Sequence, residues 1–418
     1  MPDGARGGTQ STYPPLRAYL EAVKDRANVR IPFFRRESMQ IFLNRRGSPF
    51  MSVGGAGAVF RYQDEEGNQY ALKVFTSGAP GRADRYRALH ETLQITKFPF
   101  MVDFQYVEEG IQVGSRTYPV VVMEWGCGVQ LDQAIAQDLE DDGKLDCAAH
   151  VAGSLFSAVR MLQDWNMGHG DLQEGNILVT DDNRVVLIDY DGMFVPALAG
   201  KDASEIGLAD YQHPRRSPTL FARTIDDFSL LSILFQLSVI DREAWKELSG
   251  DKRLILTRAD YESPEESAVL RRGLRAKQEH VRQMAELLAE ACRSDPGHIG
   301  AVAKITAAAD VMRWLVIGQD VQPVPCYESV IARVVSAGSA GATAAAPRII
   351  AGTPPPAVRV RTGGAGAWAR ISNLIFEEAE QTVALPAPAT AAAPAAPRKG
   401  PFLAGLRRRI RDFLYEDV

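Results

Sequence analysis

Cysteine is scarce in this chain. Its 418 residues include four, Cys127, Cys147, Cys292 and Cys326, and no two stand in a CxxC spacing. That argues against a zinc site or a disulfide framework and suits reduced thiols in a cytosolic protein. Long apolar runs are missing too. The strongest, Phe228 to Ile240, is interrupted by Ser and Gln and falls short of the ~18 apolar residues expected of a membrane-spanning helix. The first thirty residues lack a basic start followed by an apolar core, so the sequence reads as having no signal peptide. Positive charge is not in excess: 47 Lys and Arg against 52 Asp and Glu leave a net charge of −5. Nucleic acid is therefore not an expected partner. With 46% hydrophobic and 24% charged residues, the profile is that of a globular, cytoplasmic protein large enough for two or three domains.

What the sequence does have is concentrated between Met161 and Val195. His169-Gly170-Asp171 is followed by Asn176, and Asp189 and Asp191 close a run of apolar residues. Between them, Ile177 to Thr180 and Val185 to Ile188 are β-rich and are joined by the turn-forming Asp181-Asp182-Asn183, which predicts a hairpin. Such a hairpin brings Asp171 and Asn176, on the loop before it, close to Asp189 on the loop after it. An Asp that orients a hydroxyl, with an Asn and an Asp offering hard oxygen ligands to magnesium, is a set that phosphoryl transfer requires.

HGDLQEGN resembles the catalytic loop of the protein kinase superfamily, and IDYD resembles its metal-binding DFG segment. The resemblance implies that Asp171 accepts the proton of the substrate hydroxyl, that Asn176 and Asp189 hold Mg2+, and that His169 supports the loop. It extends upstream. In MSVGGAGAVF, Gly54, Gly57 and Val59 take the second glycine, third glycine and valine of the glycine-rich ATP loop, with Ser52 at its first glycine. Tyr70-Ala71-Leu72-Lys73 matches the VAIK strand, so that Ala71 lines the nucleotide site and Lys73 neutralises the phosphates. Arg82 to Thr96 has helical period and corresponds to helix αC, with Glu91 as the expected partner of Lys73 or else an ordinary surface glutamate. VVVMEWGCG resembles the hinge: Met123 at the back of the adenine pocket, Glu124 and Trp125 offering backbone groups to its edge.

Downstream, Tyr211-Gln212-His213-Pro214-Arg215 has the spacing of the YxAPE ending but carries Arg215 in place of the acid. Asp226-Asp227-Phe228-Ser229-Leu230 resembles the start of helix αF, where an Asp anchors the catalytic loop. Ser267 to Arg293 reads as the longest helix. Three further departures stand out. Gly170 replaces the Arg of HRD, Gln173 replaces the loop Lys, and Asp191 replaces the Gly of DFG, where it is expected near the metal as an extra carboxylate. The HGDLQxGN and DYDGMFVPAL wording is closest to a group of little-characterised bacterial kinase-like proteins.

The implied fold is α+β and bilobed: a small antiparallel β lobe with helix αC and a larger, mainly helical lobe. Expected segments are an N-terminal extension with a short helix (1–44), the small lobe (45–125), the large lobe and trailing helices (126–330), an Ala/Pro/Gly-rich linker (331–400) and a basic amphipathic helix (401–418). That last helix has Phe402, Leu406, Ile410, Phe413 and Leu414 on one face and arginines opposite. It suits a partner protein's groove, an anionic membrane, or packing back on the large lobe. The implied function is ATP- and Mg2+-dependent transfer to a protein Ser or Thr. A small-molecule kinase of the aminoglycoside or choline type and a nucleotide-binding pseudokinase scaffold are the alternatives.

Overall fold

The computed structural model describes residues 13–44, 47–55, 57–141 and 145–316. The expected linker and terminal helix (331–418) lie outside them. Element order among the described residues is helix α1 (Leu16–Lys24), strands β1 (Gln40–Ile41), β2 (Met51–Val53), β3 (Gly57–Gln63) and β4 (Gln69–Phe75), helix α2 (Arg82–Thr96), then β5 (Phe104–Val113) and β6 (Arg116–Glu124). All pairings of this first sheet are antiparallel, in the order β1-β3-β4-β6-β5, with β2 also on β3.

Strand β4, QYALKVF, shows how the sheet sorts its residues. Period-two alternation sends Tyr70, Leu72 and Val74 to one face and Ala71, Lys73 and Phe75 to the other. The first set joins a core with Phe60 and Tyr62 of β3 and with Tyr19, Val23, Phe33 and Phe34 from upstream. Phe33 meets Tyr70, and Phe34 meets Tyr62, edge to face at ring separations of 4.9 Å. The Tyr19 hydroxyl donates to the Phe75 carbonyl at 2.8 Å. Residues 16–41 thus pack on the first sheet, whose outer face would be bare without them.

After Glu124 come β7 (Val129–Gln130), α3 (Leu131–Asp141), α4 (Ala148–Asp164), β8 (Ile177–Val179) and β9 (Val185–Leu187). Strands β8 and β9 pair antiparallel with Leu178 opposite Val186, so the expected hairpin forms. Asn183 turns it with φ of 60°, a left-handed conformation that Asn tolerates.

Helix α5 (Asp227–Val239) is buried from Asp227 through Leu237, as a helix apolar on all sides should be. Its polar residues are satisfied from within. Ser229 Oγ donates to the Tyr211 carbonyl (2.9 Å) and Gln236 Oε1 accepts from the N–H groups of Ile255 and Leu256 (2.9 Å each). No helix among the described residues is long and apolar enough to cross a membrane.

Helices α6 (Arg242–Leu248), α7 (Arg258–Glu262), α8 (Ala268–Leu274), α9 (Glu279–Arg293), α10 (Ala301–Ala307) and α11 (Ala309–Trp314) complete the described residues. The helix expected over Ser267 to Arg293 is two, α8 and α9. At Gly273 a Cβ would fall 2.5 Å from the Phe235 ring of α5, so α8 is pressed against α5, and α9 begins after a break at 275–278.

Candidate active site

The loop from Met167 to Asn176 leaves α4 and is pinned from below. Asp226, just before α5, accepts from the backbone N–H of His169 (2.5 Å) and of Gly170 (2.7 Å), which is the anchoring role the sequence assigned it. Burial nevertheless holds its carboxyl above the usual range, with His169 and the two N–H groups pulling the other way. The buried His169 ring accepts from the Asp171 N–H at Nδ1 (3.4 Å) and so carries its proton on Nε2, which donates to the Ile188 carbonyl (3.0 Å). The imidazole thereby ties the loop to the end of β9.

Gly170 has φ of 86°, and a Cβ there would sit 2.1 Å from the Gly192 carbonyl oxygen. No arginine can occupy this position in this backbone. The cation comes from elsewhere: the buried Arg216 donates to the Gly170 carbonyl (3.0 Å), the Ile225 carbonyl (3.2 Å) and Gln212 Oε1 (2.5 Å).

Asp171 and Asn176 meet as expected. Asn176 Nδ2 donates to Asp171 Oδ2 and to its carbonyl, both at 2.9 Å. Gln173 Nε2 reaches the same carboxylate at 3.4 Å. The other oxygen, Oδ1, accepts from the Leu208 N–H at 3.3 Å. Gly207 lies so close that a Cβ would fall 2.5 Å from Oδ1, with φ of 74°.

Across the cleft, Lys73 is buried on β4 opposite Val59 and Val121. Its Nζ lies 2.6 Å from Asp189 Oδ1 and 2.9 Å from Asp191 Oδ2. Burial alone would push the ammonium down, but Asp189, Tyr86 and Asp191 hold it well above its ordinary range. Burial raises the Asp189 carboxyl, and Lys73 more than reverses this. Asp189 itself is left-handed at φ 65°, an uncommon state for a non-glycine residue that the surrounding bonds maintain.

Two expectations are corrected here. Glu91 is not the partner of Lys73. Helix α2 buries Tyr86, Leu89 and Leu93, and Glu91, two residues from both leucines, falls on the exposed far side. Asp191 is not a spare metal ligand either: its Oδ2 holds Lys73 and its Oδ1 accepts the Tyr86 hydroxyl.

In the glycine turn, β2 pairs with β3 with Ser52 opposite Val59, and the Gly54 N–H donates to the Gly57 carbonyl (2.9 Å). Gly57 is required by the protein itself, since a Cβ there would lie 1.8 Å from the Val74 carbonyl oxygen. Gly54 is different: nothing lies within 4 Å of where its Cβ would be. Ala71 is buried opposite Met123, which is half-buried. At the hinge the N–H groups of Glu124 and Trp125 donate to the carbonyls of Asp103 (3.3 Å) and Gln69 (3.0 Å). Both of these donors are used within the fold.

As for a cation, no three His, Cys, Asp or Glu side chains among the described residues converge as a metal-binding group. Magnesium asks less of a protein, taking one or two side chains with waters and phosphate oxygens. Asp189 keeps 41% of its side-chain surface accessible, and the Asn176 amide, bound through its nitrogen, has its oxygen left for a hard cation. The pair fits that limited demand.

Sequence reasoning missed Tyr86, Arg216, Gly207 and Glu205. Glu205 packs over Gly192, and its carboxyl is pushed up to about 8 by burial and by the carboxylates of Asp189, Asp191 and Asp171. The only sequence signal was its place in the segment following IDYDG. Arg215, where an acid was expected, donates to the carbonyls of Arg293 and Ser294 at the end of α9, a helix terminus that favours a cation.

No family model matches the chain. It is 26% identical over 190 residues to the probable serine/threonine-protein kinase zyg-1 of Caenorhabditis briggsae, a match covering 44% of this chain and 25% of that protein. The chain thus aligns with about a quarter of the length of this relative, and the likeness supports a relationship of protein-kinase type.

Proposed function

We propose that the chain is an ATP- and Mg2+-dependent phosphotransferase acting on protein Ser or Thr hydroxyls, akin to the bacterial kinase-like proteins its motifs resemble. One observation carries this reading: Lys73 and Asp189, 116 residues apart, meet at the mouth of a loop on which Asp171 and Asn176 are already joined. A fold that needed only packing has no reason to gather a buried cation, an accessible carboxylate and an Asp–Asn pair in one cleft.

In this reading Lys73 binds the α and β phosphates, while Asn176 and Asp189 hold the metal. Asp171 orients the acceptor hydroxyl and takes its proton. Bound Mg·ATP supplies the phosphoryl group and neutralises its charge. Gly54, whose lack of a side chain the protein itself does not require, leaves room for phosphate beside the backbone. The Gly207-Leu208 backbone lies against Asp171 Oδ1.

The test is transfer from labelled ATP to the protein itself and to a generic protein acceptor, comparing wild type with Asp171→Ala and Asp189→Ala. Label incorporated by wild type and lost in both variants is expected. Incorporation surviving both substitutions would contradict the assignment. Transfer to a small hydroxyl compound but never to protein would select the small-molecule kinase, and nucleotide binding without any transfer would select the scaffold. The basic amphipathic segment expected at 401–418 as a dock for a partner or an anionic membrane is a separate proposal, checked by vesicle co-sedimentation with and without those residues.

A further inference from the structure

We infer that Asp191, fixed by the Tyr86 hydroxyl, is the positioning residue for the Lys73 ammonium, the task that the family resemblance gives to Glu91; this rests on the phosphotransferase reading above. Three elements meet here: β4 brings Lys73, the segment after β9 brings Asp191, and α2 brings Tyr86.

Both Asp191 oxygens are engaged, one by Lys73 and one by Tyr86, so the carboxylate is constrained in two directions. Its backbone is held too, because Ser204 Oγ donates to the Asp191 carbonyl at 2.6 Å. Only 13% of its side-chain surface is accessible, against 41% for Asp189. The two carboxylates on Lys73 therefore differ in freedom. Asp189 opens to the cleft and can turn towards a cation, whereas Asp191 stays behind and keeps the buried ammonium paired. Without Asp191, that turn would strand a buried charge.

Two departures from the kinase pattern thus compensate each other. The inward face of α2 offers a tyrosine and two leucines rather than a carboxylate. The carboxylate arrives instead at position 191, where the pattern has glycine, and the tyrosine receives it.

Two measurements test this. The first does not depend on activity: modification of Lys73 by an amine-reactive reagent, followed by peptide mass spectrometry. Lys73 should react about tenfold faster in Asp191→Asn, as expected for losing one charge-assisted contact. It should react at the wild-type rate in Glu91→Ala and Asp191→Glu, and at an intermediate rate in Tyr86→Phe. Equal rates in wild type and Asp191→Asn, or acceleration in Glu91→Ala instead, would overturn the inference. Should Asp191→Asn fail to fold, Tyr86→Phe decides, an unchanged rate counting against the inference.

The second measurement is the KM for Mg·ATP, expected to rise about tenfold in Asp191→Asn on the same grounds. It should return towards wild type when Asp191→Gly is combined with Tyr86→Glu, which moves the carboxylate onto α2. An active wild type whose KM ignores Asp191→Asn sinks the inference alone. A wild type that transfers nothing, but whose Lys73 is unmasked by Asp191→Asn, sinks the phosphotransferase reading and leaves the Lys73 arrangement standing.

Discussion

The two sides of the cleft are built differently. On the Asp171 side, the working groups sit five residues apart on one loop, and its anchor Asp226 holds that loop by the backbone. On the Lys73 side, the ammonium is held by groups 116 and 118 residues away, one of them steered by a tyrosine from a third element. The first arrangement follows from local spacing, with one distant residue, Asp226, holding the loop in place. The second depends on which face a helix presents, and a rotation of α2 by one residue would have chosen a different side chain.

The largest effect should come from cutting the anchor of the Asp171 side. Asp226→Ala leaves the His169 and Gly170 N–H groups unpaired and removes the carboxylate facing Arg216. Stability should fall by about 3–5 kcal/mol, the range for breaking one partner out of a buried charged set, as read from the urea midpoint. A loss under about 1 kcal/mol would mean that the loop is held by something else.

Gly170→Arg restores the residue that the kinase pattern has, yet it should harm the fold. The side chain meets the Gly192 carbonyl and needs a left-handed backbone, together worth about 2–4 kcal/mol. Thermal unfolding checks this. Tolerance of the arginine would show that the loop and the Gly192 turn separate more easily than their contact implies.

Glu205 sharpens the comparison from between the two sides, since it senses carboxylates on both. Its folded carboxyl titrates near 8 against 4.5 for an ordinary glutamate. Below 4.5 both folded and unfolded chains hold the proton; between 4.5 and 8 only the folded chain does. The stability it contributes is therefore present at low pH, is lost as pH rises through that window and levels off above it. Tm measured against pH should slope downward over this window more steeply in wild type than in Glu205→Gln. Identical slopes would remove Glu205 from the electrostatics of the cleft.

The smallest structural effect belongs to Gly54→Ala, where the added methyl meets nothing. Stability should stay within about 0.5 kcal/mol of wild type, while affinity for Mg·ADP falls. Unchanged affinity would separate the glycine turn from nucleotide binding.

Much of the Asp171 side was legible from the sequence. The β8-β9 hairpin follows from two apolar runs and an Asp-Asp-Asn turn, and the hairpin then sets the approach of Asp189 to the loop. Lys73 was legible as well, as a cation on an apolar strand that must find a counter-charge. Its partner was not. Glu91 has the right chemistry on the right helix, but Tyr86, Leu89 and Leu93 claim the inner face, and the helical spacing that gathers them there turns Glu91 outward. Arg216 was hidden for a related reason: its neighbour Arg215 drew attention as a departure from an expected acid, while the buried cation one position on matched no pattern. The break between α8 and α9 falls within a stretch whose helical period does not record it.

Residues 16–41 carry a practical consequence. Because they cover the aromatic outer surface of the first sheet, the β lobe is not a detachable module beginning at its glycine turn. A protein trimmed to start at residue 45 would present Phe60, Tyr62, Tyr70 and Leu72 to water and invite self-association. The outer cover of strands β3 and β4 thus comes from upstream of both the glycine turn and Lys73.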